Sequence, residues 1–184
     1  MADKKSEDLE YRCGFVALLG RPNVGKSSLI NTLLKEKVAA VSSKPQTTRN
    51  AIRCILTTEK EQIIFVDTPG IHKPKNVLGD YMVNEAGKAL AQVDLICFVV
   101  EAGDSRIGEE EELIIEILSK CGLPIVLAVN KVDKLSDPGF FWKTVEMYET
   151  RIMPAAVVPI SAKKGTNMDV FIDTLSGMLP VQPP

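Results

Sequence analysis

Apolar residues along this chain fall into two kinds of segment. Short, nearly unbroken runs at 14–19, 51–57, 62–67, 95–101, 124–130 and 156–160 have the length and β-branched content of buried strands. Between them, 26–35, 81–92, 109–121, 140–150 and 168–178 carry apolar residues three or four apart, the spacing that lines up one side of a helix. All but one of the strand-to-strand connections therefore contain a helix. The exception, Thr57-Thr58-Glu59-Lys60-Glu61-Gln62, is too short for a parallel crossover, so the second and third strands are expected to form an antiparallel hairpin. The pattern predicts a three-layer α/β fold: a six-stranded, mostly parallel sheet with one antiparallel hairpin strand and helices on both faces.

The first strand runs into Gly20-Arg21-Pro22-Asn23-Val24-Gly25-Lys26-Ser27-Ser28 and then into the helix start Leu29-Ile30. A glycine-rich turn between strand and helix gathers backbone N–H groups at the positive end of the helix dipole, a site suited to polyphosphate. Asn23, Val24, Gly25, Lys26, Ser27 and Ser28 are the candidate phosphate contacts. Lys26 is expected to reach the β and γ phosphates and to neutralise charge during phosphoryl transfer, and the Ser27 hydroxyl to ligate Mg²⁺.

The fifth strand delivers Asn130-Lys131-Val132-Asp133 to its carboxyl end, where open α/β sheets bind ligands. A carboxylate at Asp133 matches the ring N–H and exocyclic amine of guanine, while adenine offers neither donor on that edge. A buried carboxylate left unpaired keeps its desolvation cost, so such a site rejects the mismatch by ~10⁴-fold or more. Asn130 is expected to hold neighbouring loops together and the Lys131 stem to cover a face of the base. The last strand ends in Ser161-Ala162-Lys163, whose Ala162 amide is expected to donate to the guanine carbonyl.

Between these boxes, Ile63-Ile64-Phe65-Val66 leads to Asp67-Thr68-Pro69-Gly70. Asp67 is the candidate Walker-B aspartate of the Mg²⁺ shell, and Gly70 leaves its amide open to a γ-phosphate. The polar segment 42–50 has no periodicity and reads as a loop that a ligand can order. One of its threonines, Thr48 in preference to Thr47, is expected to complete the metal shell.

Composition adds limits. The chain of 184 residues has room for one domain with a sizeable core. With 22 basic and 24 acidic residues its net charge of −2 gives no global attraction to nucleic acid or anionic membrane. The polar amino terminus lacks a signal-peptide core and no apolar run approaches the ~20 residues of a membrane span, so a cytoplasmic location is expected. Cys13, Cys54, Cys97 and Cys121 are widely spaced and His72 is the one histidine, which argues against zinc and for free thiols. Glu109-Glu110-Glu111-Glu112 reads as dipole-complementing charge in a helix's first turn. Phe140, Phe141 and Trp142 read as packing a helix onto the sheet, and His72 as a surface residue.

Together these boxes resemble the Era family of bacterial ribosome-assembly GTPases. The resemblance runs from Gly14 to Pro180 and rests on Arg21 to Asn31, Gln46-Thr47-Thr48-Arg49, Asp67-Thr68-Pro69-Gly70-Ile71-His72 and Leu179-Pro180. The related Der and MnmE families usually carry Gly-Thr-Thr-Arg-Asp where this chain has Gln46-Thr47-Thr48-Arg49-Asn50. The resemblance implies a P-loop GTPase fold, Mg²⁺-dependent hydrolysis of GTP to GDP, and a role in small-subunit assembly and 16S rRNA maturation. It also implies K⁺ stimulation through Asn23, slow intrinsic hydrolysis with Ile71 where Ras-like proteins have a water-orienting glutamine, and peripheral association with the inner membrane face. On this reading residues 1–13 are a polar N-terminal segment, 14–180 the GTPase domain and 181–184 the start of a linker to the family's RNA-binding KH domain. The domain alone is expected to be monomeric. Two other functions remain open at this point: a Der- or MnmE-type GTPase of ribosome or tRNA modification, and a nucleotide-sensing module with negligible turnover.

Overall fold

The computed structural model describes residues 10–36, 39–40, 51–68 and 86–183. Thr47, Thr48, Gly70, Ile71 and His72 lie outside them. The elements in chain order are β1 (Arg12–Leu19), α1 (Lys26–Glu36), β2 (Ala39–Ala40), β3 (Ala51–Thr57), β4 (Glu61–Asp67), helical residues 86–90 (α2), β5 (Leu95–Glu101), α3 (Glu109–Cys121), β6 (Ile125–Asn130), α4 (Gly139–Ile152), β7 (Ala156–Pro159) and α5 (Met168–Met178). The sheet order is β2-β3-β4-β1-β5-β6-β7. All six expected strands are present. The addition is β2, two residues that pair antiparallel with β3 at the sheet edge and are too short to leave a periodic signal.

The expected hairpin forms, with β3 antiparallel to β4, and the β1–β4, β1–β5, β5–β6 and β6–β7 pairs are all parallel. After β1 the chain builds one side of the sheet, through β2, β3 and β4, and then crosses to β5 on the other. The end of β1 is therefore a topological switch point, where helices diverge to opposite faces and leave a crevice.

Alternation along β1 sorts the core into two layers. Val16 and Leu18 face a cluster with Leu29 and Leu33 of α1 and Phe171, Ile172 and Leu175 of α5. Ala17 and Leu19 face the opposite cluster, with Ile114 and Leu118 of α3 and Val145 and Tyr148 of α4. Phe65, Phe98 and Phe171 are fully buried, each contributing up to ~3 kcal/mol by removal from water. Cys97 is an ordinary core residue, its thiol pushed up by burial.

Two expectations change. At the start of α4 only Phe141 packs against the core, while Phe140 and Trp142 are exposed, because the buried face of this helix is Thr144, Val145, Tyr148 and Ile152. Within α3, Glu111 is not a solvated dipole partner but is buried. Residues on either side of 14–180 also join the fold: β1 begins at Arg12, and the Gln182 backbone N–H and side chain donate to the carbonyls of Tyr11 (3.0 Å) and Cys13 (2.7 Å). Val181 and Gln182 are thus docked on β1.

The turn after β1 packs against β6 with no room for a side chain. A Cβ on Gly25 would run into Nδ2 of Asn130, and Gly25 has φ +110°. Gly25→Ala should therefore destabilise the domain by about 2–3 kcal/mol, from backbone strain plus displacement of the Asn130 hydrogen bond. Urea denaturation measures this, and a loss below about 0.5 kcal/mol would show that the turn is not held as described.

Candidate functional site

The carboxyl ends of β1, β4, β6 and β7 bring the sequence boxes to one end of the sheet. Gly20 starts the turn where a Cβ would lie 2.5 Å from the carbonyl oxygen of Val99 in β5, so the close approach of the two strands requires glycine. Asn23 takes a left-handed conformation, φ 63°, which asparagine tolerates better than most residues. Its side chain is exposed. The turn ends at α1, whose first intrahelical bond runs from the Leu29 N–H to the Gly25 carbonyl at 2.9 Å. Ser27 and Ser28 sit exposed in the first turn, where helix N–H groups have no intrahelical acceptor. Lys26 Nζ bends back across the turn and donates to the carbonyls of Gly20 and Arg21, the latter at 2.8 Å. Burial holds its ammonium below the ordinary lysine value, with the negative charge of Asp67 opposing that shift.

Asn130 ties the loops together as expected. Its Nδ2 donates to the Val24 carbonyl at 2.9 Å and its Oδ1 accepts from the Ala162 N–H at 3.0 Å, all in a buried setting. The second bond engages the Ala162 amide within the protein. The Ala162 carbonyl is also taken, by Thr32 Oγ1 of α1 at 2.6 Å. Ala162 is therefore a buried anchor between α1 and β6, and the turn it anchors carries Lys163 at its exposed surface.

Asp133 lies in the short 3₁₀ turn Val132–Lys134 that follows β6. It is exposed rather than buried. Ser161 is fully buried and donates Oγ–H to Asp133 Oδ1 at 2.7 Å, while itself accepting from the Lys164 N–H at 3.2 Å. The Ser161 hydrogen bond holds the Asp133 carboxyl below the usual carboxylate range. Lys131, also left-handed at φ 66°, reaches back to donate Nζ–H to the Asn23 carbonyl (2.8 Å) and to Glu101 (2.7 Å). Its head is pinned at both contacts, and its stem lies between the phosphate turn and the Asp133 turn.

Sequence reading missed the charge network behind the turn. Arg21 pairs with Asp104 and Glu111 at 2.8 Å each and with Glu101 at 3.1 Å. Burial works against the Arg21 charge, but the hydrogen bonds and charges of Asp104 and Glu111 outweigh it and push the guanidinium up. Burial likewise opposes ionisation of Glu101, and Lys131 and Arg21 together bring it below the usual range. The available signal was an arginine inside an otherwise small-residue turn, together with an acidic run at a helix start.

Asp67, at the end of β4, faces a cavity of about 260 Å³ lined by Lys26, Ser27, Asn31, Arg53 and the apolar Ile30 and Leu34. Arg53 of β3 donates to Asp67 Oδ2 through both Nε (3.1 Å) and Nη2. Arg53, too, was not picked out from the sequence. Among the described residues no group of three or more His, Cys, Asp or Glu is placed to hold a metal, and no helix is long and apolar enough to cross a membrane.

Comparison with known proteins agrees with this geometry. A model of the family described as 50S ribosome-binding GTPase matches residues 15–131. GTPase Era of Clostridioides difficile (strain 630) is 47% identical over 169 residues, which is 92% of this chain and 57% of that protein. GTPase Era of Clostridium botulinum (strain Eklund 17B / Type B) is 47% identical, covering 94% and 58% respectively. Among solved structures, Era in complex with MgGDPNP and nucleotides 1506–1542 of 16S ribosomal RNA superposes with a TM-score of 0.73 at 36% identity, over 95% of this chain and 59% of that one. A variant of Aquifex aeolicus Era bound to GDP.AlF4- gives 0.72 at 36% identity, over 94% and 59%. The chain thus spans 57–58% of the length of the curated relatives it matches. With the phosphate turn, the base-side loops and this likeness in agreement, the chain belongs to the 50S ribosome-binding GTPase family and, within it, is similar to the Era proteins.

Proposed function

We propose that the chain binds guanine nucleotide and hydrolyses GTP to GDP and phosphate as the GTPase domain of an Era-like switch. The observation that carries this reading is the Asn130 side chain, which joins the phosphate turn to the base-side loop from within the core. Asp133 is the guanine-reading carboxylate, oriented by Ser161. With the Ala162 amide engaged, the neighbouring Lys163 N–H is the better donor to the guanine carbonyl. The Lys131 stem covers the base, its head fixed by Asn23 and Glu101. The backbone from Asn23 to Ser28 cradles the phosphates, and Lys26 turns from its loop carbonyls to the β and γ oxygens. Thr48 and Gly70 complete the γ-phosphate side in this proposal.

The donor set around the cavity fits Mg²⁺: the Ser27 hydroxyl and the Asp67 carboxylate are hard oxygen ligands facing one space. When bound, the ion neutralises charge on the β and γ oxygens. Ser27 would ligate it directly and Asp67 would hold its shell, with Thr48 as the further ligand. Ile71 cannot orient a water, so the in-line water relies on backbone groups and on charge from elsewhere. Asn23, exposed in the phosphate turn, would offer its amide oxygen to a K⁺ ion, which would supply positive charge there.

The partners of the relatives indicate where the switch acts. A solved Era holds 16S rRNA nucleotides 1506–1542, so we propose small-subunit assembly and 16S rRNA maturation for the protein that contains this domain. The RNA contacts would be made mainly outside these 184 residues, whose net charge is −2.

Asp133→Asn should exchange GDP preference for XDP, because the carboxamide donates where xanthine carries a carbonyl. Unchanged GDP preference in calorimetry would remove Asp133 from the base site. Guanine reading needs the ionised carboxylate, so it is lost as pH falls through the lowered Asp133 pKa. Ser161→Ala removes the bond that lowers it, and the acid limb of GDP affinity should move to higher pH. An unmoved limb would dissociate Ser161 from Asp133.

GTP hydrolysis should run faster in KCl than in matched NaCl, by about tenfold or more, and Asn23→Ala should abolish the difference. Equal rates in the two salts would remove the potassium ion from the mechanism. A preference surviving in Asn23→Ala would place the ion elsewhere.

A further inference from the structure

Arg53 stands out once the site is laid out, because a break in strand pairing is what brings it there. Along β3 and β4 the register runs Leu56 to Ile63, Ile55 to Ile64 and Cys54 to Phe65, then shifts, so that Ile52 meets Val66 and Ala51 meets Asp67. Arg53 is the extra residue of this bulge. In regular alternation a residue between Ile52 and Cys54 would face away from both. A bulge re-aims the side chain and turns two successive residues to similar sides. Cys54 belongs to the core layer under α1, and Asp67 continues the Ile63 and Phe65 alternation toward that same layer. The bulge thus turns Arg53 to the α1 side, where it lines the cavity with Lys26 and Ser27 and grips Asp67 Oδ2 with two nitrogens.

We propose that Arg53 and a divalent cation compete for Asp67, so that Arg53 sets the Mg²⁺ concentration at which nucleotide is held tightly. The proposal rests on the nucleotide reading above. A guanidinium paired through two N–H groups to Oδ2 occupies the acceptor that a metal-bound water would address, and its positive charge would oppose a second cation at the same carboxylate. Mg²⁺ must therefore displace Arg53. The side chain is able to leave: it is 57% exposed on a strand near the sheet edge, with water as its alternative partner. Exposure also limits the strength of the pair, so the expected barrier is a tuning effect and not a block. Lys26 does not take this part, since its Nζ is held by loop carbonyls on the phosphate side of the cavity.

The test is GDP affinity by calorimetry across a Mg²⁺ series, for the native chain, Arg53→Gln, Arg53→Lys and Arg151→Gln. Arg53→Gln should lower the Mg²⁺ concentration for half-maximal tightening by about two- to fivefold, the scale of an exposed ion pair, with little effect on affinity at saturating Mg²⁺. Arg53→Lys keeps the charge and should stay near the native curve. Arg151→Gln removes an equal charge from the Arg151–Glu112 pair between α4 and α3 and should leave the curve in place. Thermal melts should be close to native for all three, because every replaced side chain is at the surface. An unchanged Mg²⁺ midpoint in Arg53→Gln overturns the proposal, and a midpoint moved upward makes Arg53 a phosphate contact instead. Equal shifts in Arg53→Gln and Arg151→Gln would reduce it to net charge. If the native chain fails to bind GDP at any Mg²⁺ concentration, the nucleotide reading itself falls and this inference with it.

Discussion

One buried carboxamide governs the arrangement of this site. Asn130 sits at the last residue of a fully buried strand and spends its donor on the phosphate turn and its acceptor on the loop after β7. Neither bond is replaceable by water at that depth, and each partner left unsatisfied costs about 1–3 kcal/mol. The phosphate turn and the base-side loop are both positioned relative to those two bonds. Val24 fixes the turn on one side, Ala162 fixes the Ser161 turn on the other, and Gly25 is glycine because Asn130 lies where a side chain would be.

A second, electrostatic layer supports this frame from outside. Arg21 and Lys131 share the Glu101 carboxylate, and Lys131 also holds the Asn23 carbonyl, so the phosphate turn is gripped at two of its residues by charges anchored in β5 and α3. Glu111 is the clearest instance of tertiary context overriding local logic. Its neighbours at the start of α3 are solvated, but it is turned inward by an arginine from the turn. The network keeps the turn in shape while leaving Asn23, Ser27 and Ser28 exposed to a ligand.

Much of this was legible in the sequence, and for physical reasons. Strands and helices announced themselves by periodicity, and the antiparallel hairpin followed from the length of one connection. Phosphate and base boxes were readable because each sits where a strand ends. The loop-joining role expected of Asn130 is met by the donor and acceptor that its one side chain carries. What escaped were interactions between distant segments. Nothing local shows that the Ala162 amide is taken by Asn130, that Ser161 serves Asp133, or that a bulge at Arg53 aims it at Asp67. The two-residue β2 and the docking of Gln182 on β1 were equally invisible, since each depends on a partner far away along the chain. The exposed Asp133 differs from the buried carboxylate the base argument pictured, because burial there requires the base itself.

The central claim is that Asn130 couples the phosphate turn to the base loop. Asn130→Asp tests it most directly: the replacement is nearly isosteric and keeps an acceptor for the Ala162 N–H, but it sets an oxygen against the Val24 carbonyl. GDP affinity should fall by ~2 kcal/mol or more, about 30-fold in Kd, while the domain still unfolds cooperatively. An affinity within a factor of two of the native chain would contradict the account.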